Sequence, residues 1–447
     1  MKNIKRILLL LVVVSLVLSF GFAQGIEESS ESSEEKVTLK VLNYYDTTEP
    51  GYEKERQVWQ NFRDENPNVN LITEDLCNEA FHQKVSAYIA SGNLPDVMYM
   101  YPSGRSMAIH ENKLVKDLKP LLGEEFLSNF VSTALNTKTQ GAGYLAELPQ
   151  SICYSTVVYT NKGLLDSLGL EIPTTYEELK AMVQTLKAHG IQTVLMANKD
   201  DWVMQSCLFS TIAGRYVGTK WFDDVKEGKV KFTDPEFIQA LDMVKTMYDD
   251  GVISRNTIQL AYGEAPGLFA SGKAAFFVDG DWKASAFLTN HETGESLISP
   301  EKQETDLALI AFPALPGENY PGTVSSTLGC GFGISSAIPA GSEKEAYAVK
   351  LIKYLYSSEV QQQYLELGRY VPTRKDVNSD NVEPIVKKMK AYYAQSDSTC
   401  YVLDSALDPS VYTVLNKVLQ EIGLGSKTPK EAAAEIQTAM DKYIAEK

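Results

Sequence analysis

NVNLITEDLCNEAFHQKVSAYIASGNLPDVMYMY, residues 68–101, decides the class of fold. NVNLITED (68–75) reads as a strand, FHQKVSAYIASG (81–92) as a helix stopped by Gly92, and DVMYMY (96–101) as another strand. Upstream, VTLKVLNYY from Val37 reads as a strand too. An amphipathic helix follows it over 52–66 and is ended by Pro67. Strands and helices alternating at this pace predict an α/β chain with mainly parallel sheets.

The alternation continues downstream. STVVYTNKGLLDSLG (155–169) runs from strand to helix, and Thr174 to Glu178 has the form of a capping box that opens a helix through Lys187. DPEFIQALDMVKTMYDDG (234–251) is an amphipathic helix with an Asp-Pro start and a Gly stop. AAFFVDGDW (274–282) is a buried strand running into a turn, LALIAFPALPG (307–317) is a further strand, and the last third is mostly helical.

The amino terminus has a different logic. Lys2, Lys5 and Arg6 precede an apolar run from Ile7 to Phe20, and Gly21-Phe22-Ala23 supplies the small residues that a signal peptidase reads. Residues 1–23 are therefore expected to be an export signal cleaved before Gln24; the apolar run is short against the ~20 residues that a membrane span needs. Residues 24–36, QGIEESSESSEEK, form an acidic flexible leader. The first cysteine is Cys77, so no lipid-attachment cysteine lies near the cleavage site, and the expected location is the periplasm.

The 447 residues carry 58 acidic against 42 basic side chains, a net charge of −16, which argues against nucleic acid or an anionic membrane surface as a partner. Tyrosine is abundant, with 24 residues beside 16 Phe and 4 Trp, and its apolar face and polar tip suit neutral, partly polar ligands. Five cysteines without a CxxC pair read mainly as small buried hydrophobes, with one bridge possible.

Catalytic signatures are lacking. There is no phosphate loop, no GxSxG elbow and no HExxH helix, and the four histidines (His82, His110, His189, His291) are scattered, so no metal or cofactor is expected. Gly329-Cys330-Gly331-Phe332-Gly333 sits inside a strand-like run and reads as a place where another backbone or a ligand approaches closely. Asp279 and Asp281 are two residues apart on one turn, whereas the carboxylate pair of glycoside hydrolysis faces across a cleft from separate elements.

Five stretches together resemble the bacterial extracellular solute-binding proteins of family 1, which include maltose and maltodextrin binders. They are IASGNLPDVMYMY, VVYTNKGLLDSLGLEIPTTYEELKAMVQTLKAHG, LFASGKAAFFVDGDW, LALIAFPALPG and EKEAYAVKLIKYLYSSEVQQQYLELGRYVPTR. The resemblance covers nearly the whole chain after the export signal. It implies a two-lobed, type II periplasmic-binding-protein fold crossed three times by the chain. One lobe is then expected at 37–148 plus 315–356, the other at 149–314 plus 357–447. It further implies a monomeric, non-enzymatic protein that captures a sugar or oligosaccharide in the interlobe cleft and delivers it to the permease of an ABC importer. A binder of a polyamine or peptide on the same fold, or a secreted glycan-acting enzyme, are the competing readings.

Sugar recognition needs aromatic faces for apolar C–H surfaces and paired donors and acceptors for hydroxyls. Strand ends and crossings offer such groups at Tyr45, Asp46, Gln150, Tyr154 and Asp281. Matched to the family pattern, Trp282 and Tyr412 fall where stacking aromatics sit, Trp202 near a second-lobe binding segment, and Tyr99, Tyr101 and Ser103 at the first-lobe contact. Glu79 matches a position that often points a carboxylate into the cleft; it and Arg369 would serve equally as salt-bridge residues. Met100 stands where maltodextrin binders place a stacking Trp, and Ser103 replaces an acidic partner, which puts maltose itself in doubt.

Overall fold

The computed structural model describes residues 36–47, 52–136, 142–394 and 398–446. The expected export signal (1–23) and the leader as far as residue 35 lie outside the described residues. In chain order the strands are β1 (Val37–Tyr44), β2 (Val69–Leu76), β3 (Val97–Met100) and β4 (Leu148–Pro149). Next come β5 (Ile152–Tyr154), β6 (Val157–Asn161), β7 (Gln192–Leu195) and β8 (Ala274–Asp279). The last four are β9 (Leu307–Ile310), β10 (Val324–Leu328), β11 (Gly331–Ile334) and β12 (Thr399–Tyr401).

The helix punctuation follows the sequence closely. The first long helix, α1 (Tyr52–Glu65), stops two residues before Pro67, and α2 (Asn78–Ser91) ends on Gly92 in the left-handed region at φ 65°. Thr175 and Glu178 close a reciprocal capping box on α3 (Tyr176–Ala181). Asp234 and Pro235 open α4 (Pro235–Asp249), and α5 (Pro384–Ala394), α6 (Pro409–Leu424) and α7 (Pro429–Glu446) fill the carboxyl-terminal part.

Two bodies are built on two sheets. The first sheet has the order β2-β1-β3-β11-β4 and the second the order β7-β8-β6-β9. Strand alternation buries both faces of each. In the first, Leu39, Val41 and Val97 feed one core while Leu42, Met98 and Met100 feed the other. In the second, Val158, Phe276 and Val278 oppose Val157, Tyr159 and Phe277, and every residue of β8 is buried. The sheets are mixed rather than mainly parallel: only β2-β1-β3 and β7-β8 pair in parallel within them. The reason is the crossing chain, since β11, returning from the other body, enters the first sheet antiparallel to both β3 and β4.

Three crossings run side by side. The amide of Gln150 donates to the carbonyl of Cys330 at 2.9 Å, that of Gly329 to Ser151 at 2.7 Å, and that of Thr373 to Gln150 at 2.9 Å. Around the crossings β10 pairs with β5 and β12 in a small third sheet. The glycine-rich run is explained here. A methyl on Gly329 would collide with Ser151, and one on Gly331 with the backbone of Leu148, so the expected close approach is of backbone to backbone. None of the five cysteines forms a disulfide, and Cys207 and Cys400 are buried. No described helix is long and apolar enough to cross a membrane.

Candidate functional site

A cavity of about 1640 Å³ is lined by residues of both bodies and of the crossings. That exceeds the ~300–1,000 Å³ usual for drug-sized ligands. Ten of the residues singled out from sequence meet on its wall. They are Asp46, Glu79, Tyr99, Tyr101, Gln150 and Trp202, together with Asp281, Trp282, Arg369 and Tyr412.

On the wall of the second body, β8 ends in the turn Asp279-Gly280-Asp281-Trp282. The indole of Trp282 lies against Gly280, where any Cβ would strike the ring, so glycine is what lets the indole fold back. The indole Nε1 donates to the Tyr262 hydroxyl at 2.6 Å, and that hydroxyl donates to Asp279 Oδ1 at 3.1 Å. Trp202 packs edge-on to Tyr262, with centroids 4.9 Å apart, and 6.3 Å from Trp282. Three aromatic side chains are thus fixed to one another and, through Tyr262, to a fully buried carboxylate. Burial raises the pKa of Asp279, and the nearby Lys283 partly offsets it. Asp201, Tyr412 and Asn416 adjoin Trp202 on the wall; Asp201 has a raised pKa, first through burial.

On the wall of the first body the rings support each other. Tyr44 stacks on Tyr99 at 5.6 Å and meets Phe81 and Tyr101 edge-on, and His82 lies 5.0 Å from Tyr101. The Tyr44 hydroxyl donates to Asn78 Oδ1 at 3.1 Å. Asn78 takes φ 53°, a left-handed conformation that asparagine tolerates better than most residues.

Two of the expected residues are placed differently, and the side chain of a third is not described. Tyr45 is 5% exposed and off the cavity wall; the side chain lining it is Tyr44. Tyr45 lies just past the end of β1 and turns into the protein, while Asn43, Tyr44 and Asp46 around it line the cavity. Tyr154 is one layer back, its ring stacked at 4.7 Å on Tyr393, which does line the cavity. Ser103 opens the turn Ser103–Ser106, and its side chain lies outside the described residues.

The charged groups on the wall differ in what holds them. Asp281 accepts from the Tyr154 amide at 2.8 Å, the Tyr393 hydroxyl at 2.5 Å and the Cys153 thiol at 3.2 Å. It ties a crossing strand to α5, and burial raises its pKa to about 6. Arg369 pairs with Glu55 of α1. Glu79 is exposed and accepts from Gln83 at 3.1 Å. Flat aromatic faces beside amide, hydroxyl and carboxylate groups can hold a molecule that is apolar on its faces and polar at its edges.

Sequence reasoning missed Tyr44, His82, Arg105, Tyr262, Tyr393 and Asn416. Alternation along β1 does not single out Tyr44, since Asn43 of the opposite face lines the cavity as well. Tyr262 sits in an irregular loop with no periodic signal, and its contacts with Trp282, Asp279 and Trp202 reveal it.

The model of bacterial extracellular solute-binding proteins matches residues 45–362, well over half of the chain. The multiple sugar-binding protein of Streptococcus mutans is 23% identical over 84% of each chain. A maltooligosaccharide ABC transporter solute-binding lipoprotein of Streptococcus pneumoniae is 23% identical over 94% of this chain and 91% of its own. Among solved structures, a chitin oligosaccharide binding protein superposes with a TM-score of 0.80 at 21% identity, covering 92% of this chain and all of that one. The maltose/maltodextrin-binding domain MalE of Bdellovibrio bacteriovorus, bound to maltotriose, has a TM-score of 0.70 at 18% identity and the same coverage. These likenesses establish the two-lobed fold, and the family match places the chain in its group: it belongs to the bacterial extracellular solute-binding proteins.

Proposed function

We propose that the chain captures a sugar or oligosaccharide in the cavity and delivers it to the permease of an ABC importer. The observation that carries this reading is the Trp202–Tyr262–Trp282 cluster beside Asp201, Asn416 and Tyr412 on the wall of a 1640 Å³ cavity. Stacking faces and hydroxyl partners are what a pyranose needs. The printed descriptions of the relatives, which name sugars and oligosaccharides, support it.

In this reading the lobes are 37–148 plus 315–356 and 149–314 plus 357–447, hinged at the three crossings, and the protein works as a monomer. Export by a signal cleaved before Gln24, without a lipid, leaves it in the periplasm. Asp46, Gln150, Trp202, Trp282 and Tyr412 contact the ligand, whereas Asp281 holds Tyr154 and Tyr393 in position behind it.

A thermal-shift screen against mono- and oligosaccharides, polyamines and peptides tests the ligand class. A saccharide should raise the melting temperature; a shift with polyamine alone would overturn the reading. Trp282→Ala should then weaken saccharide binding at least tenfold, in line with the ~2 kcal/mol of a central aromatic anchor. Its ligand-free melting temperature should fall by only a few degrees. A variant that melts far lower while its folded fraction binds normally would make Trp282 a structural residue.

A further inference from the structure

The turn Ser103–Ser106 follows β3 in the first body, and the segment Leu403–Leu407 follows β12 in the second. They meet beside the cavity without involving the crossings. A methyl on Gly104 would lie 2.6 Å from the Leu407 carbonyl oxygen and 2.7 Å from that of Asp404, so the two backbones touch and glycine is required. Next to this contact, Arg105 Nη2 donates to Asp404 Oδ2 at 2.8 Å. Arg105 Nη1 lies 3.0 Å from His82 Nε2, and the guanidinium sits 5.3 Å from the Tyr101 ring centroid. Each half is anchored in its own body. Leu403 and Leu407 are buried in the second core, and Ser106 Oγ donates to the Tyr101 carbonyl at 2.5 Å. The side chains of the pair are 22% and 9% exposed, so its attraction is less screened than that of a surface pair.

We propose that Arg105 is a positioning residue for ligand capture: with Gly104 and Asp404 it forms a clasp that holds the two walls of the cleft together and limits how fast a bound ligand leaves. The proposal rests on the cleft being the ligand site, and adds that closure is held partly by the protein's own ion pair and not by the ligand alone. A ligand needs less differential affinity to shift a cleft that is already biased towards closure.

The test uses the mature protein and the variants Arg105→Gln, Asp404→Asn, the double variant, and Gly104→Ala, which acts through the backbone and removes no charge. Small-angle scattering of the ligand-free proteins should give a larger radius of gyration for each variant than for the native chain, with little change in melting temperature. Stopped-flow dissociation of a saccharide from the thermal-shift screen should be at least fivefold faster in each single variant, the double variant adding little. Raising sodium chloride to 1 M should speed dissociation from the native protein more than from the double variant. Unchanged radii and rates, or single effects that simply add, would overturn the clasp. If no saccharide binds the native protein, the proposed function fails while the ligand-free scattering still decides the clasp.

Discussion

The two walls of the cleft are both aromatic, yet they are held in different ways. On the first, Tyr44, Tyr99 and Tyr101 are fixed mainly by ring against ring, with Phe81 behind them and the Tyr44 hydroxyl donating to the Asn78 side chain and accepting from its amide. On the second, Trp282 and Tyr262 hang on a chain of directed hydrogen bonds that ends on Asp279, which is completely buried. Ring packing is distributed over many weak contacts, so losing one atom costs little. A chain of directed bonds concentrates its strength, and removing a member strands the rest. The second wall should therefore be the stiffer and the more fragile to substitution.

The largest effect that this contrast predicts is at the foot of the chain. Asp279→Ala removes the acceptor of the Tyr262 hydroxyl, the Gly280 amide and the Cys207 thiol, and takes a nearby counter-charge from the Lys283 ammonium, which lies over the Tyr262 ring. A loss of about 3–5 kcal/mol in urea unfolding is expected, the cost of breaking a buried charged arrangement by removing one partner. An unchanged midpoint would mean that the chain supports nothing.

A matched pair of deletions sharpens the comparison. Tyr262→Phe removes the acceptor of the Trp282 indole and one donor of Asp279 together, and should cost about 1–3 kcal/mol in stability, with weaker saccharide binding. Tyr44→Phe removes a half-buried hydroxyl bonded to Asn78, whose own groups are exposed and can turn to water, and should cost under ~1 kcal/mol. Equal costs from the two would abolish the distinction between the walls.

The difference also explains what could be read from the sequence. Period and punctuation gave the α/β class, the helix stops at Pro67 and Gly92, the capping box at Thr175 and the crowded glycines at 329–333, because each of these is a local rule. Parallel pairing failed as a rule for whole sheets, since the crossings bring strands back from the other body, and no local pattern records that. At the site, residues adjoining a strand end, such as Trp282 and Tyr99, were legible from their position. Tyr262 and Arg105 matter through partners 20 and 299 residues away, which only the fold brings near.

The smallest predicted effect is a difference in pH response between the walls. On the first, His82 is held down to about 4, by burial and then by the neighbouring Arg105, with Asp404 pulling the other way. A folded-state pKa below the unfolded value of ~6.5 gives a contribution that is full above pH ~6.5 and is lost as pH falls towards 4. On the second, burial raises Asp281 to about 6, even though Tyr154, Tyr393 and Cys153 donate to it. A folded-state pKa above the unfolded ~3.9 gives a contribution that is full below pH ~4 and is lost as pH rises through 6. Between pH 4 and 6 the two slopes are opposite and partly cancel in the native protein. Single substitutions unmask them. The stability of the native chain relative to Asp281→Asn should fall as pH rises across that interval, and relative to His82→Gln it should rise, each on the order of 1 kcal/mol. Urea unfolding of the ligand-free proteins at pH 4, 5, 6 and 7 and constant salt reads both differences. Parallel curves for the three proteins would show that neither wall carries a titrating group that matters to folding, and a shared slope of one sign would show that the walls do not differ in this respect.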